Sequence, residues 1–134
     1  MENASIFTRI INGEIPVHKI YEDDKVFAML DSEPLADGHT LVVPKIQGGQ
    51  IWELSDDYYT AIWNVARKLA MHMQEVLKPQ RVGTIIEGFG VPDHGHIHLV
   101  PLYGDDVLQL PHKYPVDTSD ENMKRLSEQL AFTD

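Results

Sequence analysis

Cysteine is absent from the 134 residues, which removes disulfide scaffolds, thiolate-held zinc, iron–sulfur clusters and every thiol nucleophile. Covalent or metal chemistry would fall to histidine, aspartate and glutamate. No run approaches the ~18 apolar residues of a membrane span, and the opening Met-Glu-Asn-Ala-Ser has no basic stretch leading into an apolar one. A cytoplasmic protein with no membrane partner is expected. Positive charge is scarce too: 11 Lys and Arg face 21 Asp and Glu, a net −10 that repels a phosphate polymer over most of the surface. Nucleic-acid polymers are therefore not expected partners. Repeats and low-complexity tracts are missing, while 43% hydrophobic and 24% charged residues are the balance of a globular domain. One domain over residues 1–134 is expected, large enough to bury about two thirds of its unfolded surface without a metal or disulfide.

Along the chain, Phe7, Ile10 and Ile11 predict a brief helix over Thr8 to Asn12, stopped by Gly13 and Pro16. His18 to Tyr21 and Val26 to Leu30 flank a polar Glu-Asp-Asp-Lys turn and predict a hairpin, and Thr40 to Val43 a third strand ended by Pro44. Ser55, Asp56 and Asp57 suit a helix start, and Ile62, Val65, Ala66, Leu69, Met73, Val76 and Leu77 keep helical spacing up to Pro79. Arg81 to Ile86 and His96 to Val100 predict two more strands around a loop rich in Gly and Pro. Thr118 and Glu121 suggest a capping box for a last helix carrying Met123, Leu126 and Leu130 on one side. Strands in runs around one long helix predict an α+β domain with an antiparallel sheet.

Three of the seven histidines stand at 94, 96 and 98 in Asp93-His94-Gly95-His96-Ile97-His98-Leu99-Val100-Pro101. On a strand, residues two apart share a face about 6.5 Å from one another, so the three imidazoles would point one way and Ile97 and Leu99 into the core. Three readings compete. The histidines could be scattered on a solvated face. They could hold a metal, although a third imidazole in the same row lies too far away to close one coordination sphere. Or one imidazole attacks phosphorus while a neighbour handles charge and a proton, with backbone N–H groups of the glycine-rich loop holding the oxygens. His18, His72 and His112 are isolated and read as ordinary surface residues, and His39 as a structural hydrogen-bonding residue at a strand start. Trp52 and Trp63 read as packing or subunit-interface residues.

The segment from His94 to Val100 resembles the signature of the histidine triad (HIT) family, His-x-His-x-His followed by two apolar residues, with Gly95 at a usually apolar position. Ile6 to Pro16 is similar to the family's opening helix and Gly-Glu-Ile-Pro turn, and Tyr21-Glu22-Asp23-Asp24 to its first hairpin. Asp31, Pro34 and Gly38-His39-Thr40-Leu41-Val42-Val43-Pro44-Lys45 are similar to the segment entering its central strand, so residues 5 to 103 are covered. The resemblance, to the nucleotide-binding hydrolase branch, implies a HIT-like fold: a five-stranded antiparallel sheet with two main helices, joined across a homodimer. It implies hydrolysis of a nucleoside 5′-phosphate derivative through a nucleotidyl-histidine intermediate, with a purine nucleotide or nucleoside phosphoramidate as partner and no organic cofactor. Residue by residue, His96 would be the nucleophile, His98 the phosphate-binding partner that assists the leaving group, and His94 the residue that orients the site. Ile6, Phe7, Ile10, Met29 and Leu30 would surround the base and Asp31 would meet the ribose hydroxyls. On their own, Ile6, Phe7 and Ile10 read as core and Asp31 as a turn residue.

Departures from the family pattern matter equally. Many bacterial members hold a structural zinc with two cysteines, a histidine after the Pro-Lys pair and the first triad histidine. Here the first three positions read Ser5, Thr8 and Gln47, so no metal is expected. The loop before the triad, which supplies a glutamine and a hydroxyl in better-known members, reads Gly90, Val91, Pro92 and Asp93, leaving the backbone N–H groups of Gly90 and Val91 for the phosphate. The family's asparagine is missing around Ile86 and Glu87. An enzyme working through His96 is thus set beside a nucleotide-binding regulatory module with little turnover. Glu87, Asp93, Asp105 and Asp106 lie near the triad in sequence with no Lys or Arg between Arg81 and Lys113, which favours amine leaving groups over polyphosphates.

Overall fold

Residues 3–88, 90–105 and 115–133 are described by the computed structural model. The elements run α1 (Ile6–Ile11), β1 (Lys19–Glu22), β2 (Val26–Leu30), β3 (Thr40–Pro44), a 3-10 turn at Ile51–Glu53, α2 (Asp56–Leu77), β4 (Arg81–Ile85), β5 (Ile97–Leu102) and α3 (Asp120–Leu130). The five strands form one antiparallel sheet in the order β1-β2-β3-β5-β4. The α+β class and the strand count follow the sequence reading.

The sheet has two working faces because side chains alternate along each strand. Val26, Val42, Ile97 and Leu99 meet Ile62, Val65, Ala66 and Met73 of α2 on one side. Phe27, Met29, Leu41 and Val43 meet Phe7 and Ile10 of α1 on the other. Thr40–Pro44 is buried at every position, so this central strand is almost continuously apolar instead of alternating. The turn between β1 and β2 closes on Asp23, whose Oδ1 accepts the backbone N–H groups of Lys25 and Val26, each at 2.8 Å.

Several boundaries move, each for a local reason. Helix α1 begins at Ile6, two residues before the expected start, because the Ser5 hydroxyl caps it by accepting the Thr8 N–H. Ser119, not Thr118, caps α3: its hydroxyl accepts the Asn122 N–H at 3.3 Å. Met123, Leu126 and Leu130 are exposed, and α3 has no buried residue. Strand β5 begins at Ile97, so His94 and His96 lie in the segment leading into it and only His98 sits on the strand. Helix α2 starts after Ser55 as expected and stops at Lys78, which takes a left-handed conformation (φ 55°) before Pro79. Ile62, Val65, Ala66 and Met73 face the chain's own core, while Met71, Val76 and Leu77 are exposed. Among the described residues no helix is long and apolar enough to cross a membrane.

Candidate active site

The end of the 86–93 loop delivers the triad onto the α1 side of the sheet. His94 is fully buried, His96 nearly so, and His98 is half-buried. The His96 and His98 ring centroids are 5.1 Å apart, so the alternate spacing does bring two imidazoles to one place. His94 is held differently: the Phe7 ring stands edge-on to it at 5.5 Å and to His96 at 4.9 Å. Gly95 is required by close packing, since a Cβ there would come within 2.6 Å of the Ile51 backbone nitrogen and 3.0 Å of the Gln50 carbonyl carbon.

Hydrogen bonds fix which ring nitrogen carries each proton. His96 Nδ1 lies 2.9 Å from the His94 carbonyl oxygen, which can only accept, so Nδ1 is the N–H and Nε2 of the neutral ring keeps its lone pair. His94 Nε2 in turn donates to the Pro44 carbonyl at 2.7 Å. Burial holds His94 below the ordinary histidine range; the Pro44 carbonyl pulls upward, and neighbouring His96 adds to the depression. Both its nitrogens are engaged, Nδ1 lying 2.7 Å from the Ser5 hydroxyl, so the three triad rings do not close around one metal.

His39 completes a second chain. The Leu35 backbone N–H donates to its Nδ1 at 3.0 Å, which places the ring proton on Nε2, 2.9 Å from His98 Nδ1. His98 Nδ1 therefore accepts, and the proton of a neutral His98 sits on Nε2. Burial lowers His98 below the ordinary range, His96 and His39 deepen the shift, and Asp31 and Glu87 oppose it. His39 is likewise held down by burial against an upward pull from Asp31. Asp31 Oδ2 lies 3.4 Å from His39 Nε2 and 3.8 Å from His98 Nδ1, while Oδ1 closes a turn on the Glu33 N–H. Donor atoms of Asp31, His39 and His98 lie within 4.8 Å of one another. A metal there would have to displace the His39 Nε2 proton, which the Leu35 amide holds in place. The sequence gives His39 only a structural part at a strand start; its place beside His98 comes from the pairing of β3 with β5.

The HIT domain model matches residues 12–105. The chain belongs to the HIT family. Adenosine 5'-monophosphoramidase HNT1 of Candida albicans is 33% identical, covering 98% of this chain and 94% of that protein. The solved histidine triad nucleotide-binding protein from Candida albicans superposes with a TM-score of 0.71 at 33% identity over 95% of this chain and 94% of the other. A zinc-bound histidine triad family protein from Mycobacterium smegmatis gives 0.71 at 26% identity over 92% and 89%.

Within this HIT fold the residues expected around the base divide. Phe7, Ile10 and Met29 are buried in the core cluster between α1 and the sheet, whereas Ile6 and Leu30 are 49% and 40% exposed. Asp31, His39, Glu87 and His98 line an open pocket of about 260 Å³ together with Ser32, Glu33, Leu35 and Ile85. On the other side His96 lines a smaller cavity of about 40 Å³ with Ile86, Glu87, Gly88, Val91 and Trp52. Glu87 thus borders both imidazoles, while Gly90, Val91 and Asp93 border a separate opening beside Ser5 and Gln47. Of the remaining acidic residues near the triad, Asp105 lines none of these three pockets and Asp106 lies outside the described residues, as does His112. Trp52, expected to pack, is 63% exposed at the cavity mouth. Ser5, Thr8, Gln47 and His94, the positions where the sequence resemblance implies a zinc in many bacterial members, do converge. Three of the four donors are neutral oxygens bonded to one another and to the histidine, a set that does not fit zinc.

Proposed function

We propose that this HIT protein hydrolyses nucleoside 5′-phosphoramidates, purine ones first, through a nucleotidyl-histidine intermediate on His96. The observation that carries the reading is the His96 Nδ1–H held on the His94 carbonyl, which leaves Nε2 as a lone pair. Nε2 attacks phosphorus and forms a P–N bond as the bond to the leaving amine breaks. His98 Nε2–H, oriented by His39, holds a phosphoryl oxygen, and the amine departs neutral, carrying the proton its nitrogen holds in the bound substrate. Water then attacks phosphorus, releases a proton to solvent and frees the nucleoside monophosphate and neutral His96. His94 holds the segment, Gly90 and Val91 offer backbone N–H groups to the phosphate, and Ile6, Phe7, Ile10, Met29 and Leu30 form the base side with Asp31 toward the ribose. An amine leaving group suits Glu87, the carboxylate common to both pockets. The Candida albicans adenosine 5'-monophosphoramidase supports this substrate class.

The reading takes residues 1–134 as one metal-free domain working as a cytoplasmic homodimer, with a sedimentation mass of two chains expected at micromolar concentration. Single-turnover mixing with adenosine 5′-phosphoramidate, followed by ³¹P NMR and mass spectrometry, should show adenosine monophosphate formed through an adenylylated protein. His96→Ala should bind nucleotide normally and lose the adduct and turnover, at least 10²-fold. A kcat within tenfold of the unaltered protein would remove His96 from the role. The regulatory-module reading is favoured by one observation, the lack of a hydroxyl or amide side chain in Gly90-Val91-Pro92. Tight nucleotide binding with no adduct would establish it.

A further inference from the structure

The Ser5 and Thr8 hydroxyls lie 2.7 and 3.4 Å from His94 Nδ1, and Gln47, 42 positions from Ser5, bonds to both residues. Gln47 works in both directions. Its Oε1 accepts the Ser5 backbone N–H at 2.7 Å and the Thr8 hydroxyl at 2.8 Å, and its Nε2 donates to the Asn3 carbonyl at 2.6 Å. Since His94 Nε2 spends its proton on the Pro44 carbonyl, Nδ1 is an acceptor, and the Ser5 hydroxyl must donate to it. The same Ser5 oxygen accepts the Thr8 N–H and so starts α1. One continuous chain therefore runs from the residues after β3, through the cap of α1, to His94, and from the His94 carbonyl to His96 Nδ1.

We infer that this hydrogen-bonded clasp, rather than a metal, ties the start of α1 to His94: Ser5, Thr8 and Gln47 are positioning residues for His96. Helix α1 has only six residues, too short to be stable alone. Its place on the sheet decides where the Phe7 ring stands, and that ring lies against both His94 and His96. Loosening the clasp would free the Phe7 edge contact against the nucleophile and leave the buried His94 Nδ1 without a donor. A role confined to stability would lower the unfolding temperature without touching the reaction of the folded protein.

The kinetic arm of the test rests on the hydrolase reading; the spectroscopic arm does not. In ¹⁵N NMR of the imidazoles, His94 Nδ1 should show the shift of a hydrogen-bonded acceptor. In Ser5→Ala it should move to that of a free, unprotonated nitrogen while the remaining backbone resonances stay in place. Gln47→Ala should lower kcat at least tenfold at temperatures far below unfolding, with a smaller change in KM. Gln47→Glu, which keeps an acceptor for Ser5 and Thr8, should recover most of that loss. If Gln47→Ala fails to fold, Ser5→Ala against Ser5→Thr gives the same contrast, since threonine retains the donor. An unmoved Nδ1 resonance in Ser5→Ala, a kcat within twofold of the unaltered protein, or stoichiometric zinc in the purified chain would overturn the inference.

Discussion

His39 shows how much a single buried side chain can settle. With a loop amide on one nitrogen and His98 on the other, it has one tautomer open to it, and it passes that constraint to His98, whose Nε2–H is then free to hold the phosphoryl group in the proposed reaction. His39→Ala should therefore lower kcat by about tenfold or more, since His98 loses the donor that keeps its proton on Nε2. His39→Gln, able to donate an amide N–H toward His98, should retain more activity than alanine. Equal rates for both variants would mean that His39 acts by packing alone. Asp31 is a second residue whose two oxygens do different work, one in a turn and one facing the histidines. The bare sequence supported only the turn.

At the level of elements, the two sheet faces divide the labour. Helix α2 covers one face and makes the larger core; the short α1, fixed at its cap, covers the other, where the triad lies. The end of α2 carries a removable cost. Lys78 is exposed and left-handed at φ 55°, a conformation that crowds the Cβ of any residue with a side chain. Lys78→Gly should stabilise the protein by up to about 1 kcal/mol, the relief at a helix C-terminus exceeding the entropy cost of glycine. A urea midpoint that fails to rise would show that the entropy cost cancels it. Helix α3 follows the same amphipathic logic without a partner in the described chain: its apolar positions were legible from spacing, their exposure was not.

For the whole molecule, the buried histidines link stability to pH. His39, His94 and His98 are all held below the ordinary range, chiefly by burial. The unfolded chain binds protons at these positions more readily than the folded one. Stability should therefore be complete above the ordinary histidine value of about 6.5 and fall as the pH drops below it, before the carboxylates titrate near 4. The urea midpoint measured at about pH 5.5 should lie below that at about pH 7.5, and His39→Gln should reduce the difference. A midpoint unchanged between the two would contradict the burial assigned to these rings.

The sequence by itself determined the α+β class, the strand positions within a residue or two, the long helix and the triad, because period-2 and period-3.6 patterns, proline stops and the spacing of three histidines are all local. Its resemblance also reached the family, since short motifs spread over residues 5 to 103 agree with one another. Only the tertiary structure decided what each histidine does. The proton positions on His94 and His98 depend on the Pro44 carbonyl, the Ser5 hydroxyl and the His39 ring, up to 89 residues away, and that on His96 on the carbonyl of the His94 so held. The same holds for the burial of Phe7, Ile10 and Met29 against the exposure of Ile6 and Leu30: hydrophobic residues look alike in sequence whichever way they face. Burial separates these cases, and burial is a property of the packed chain.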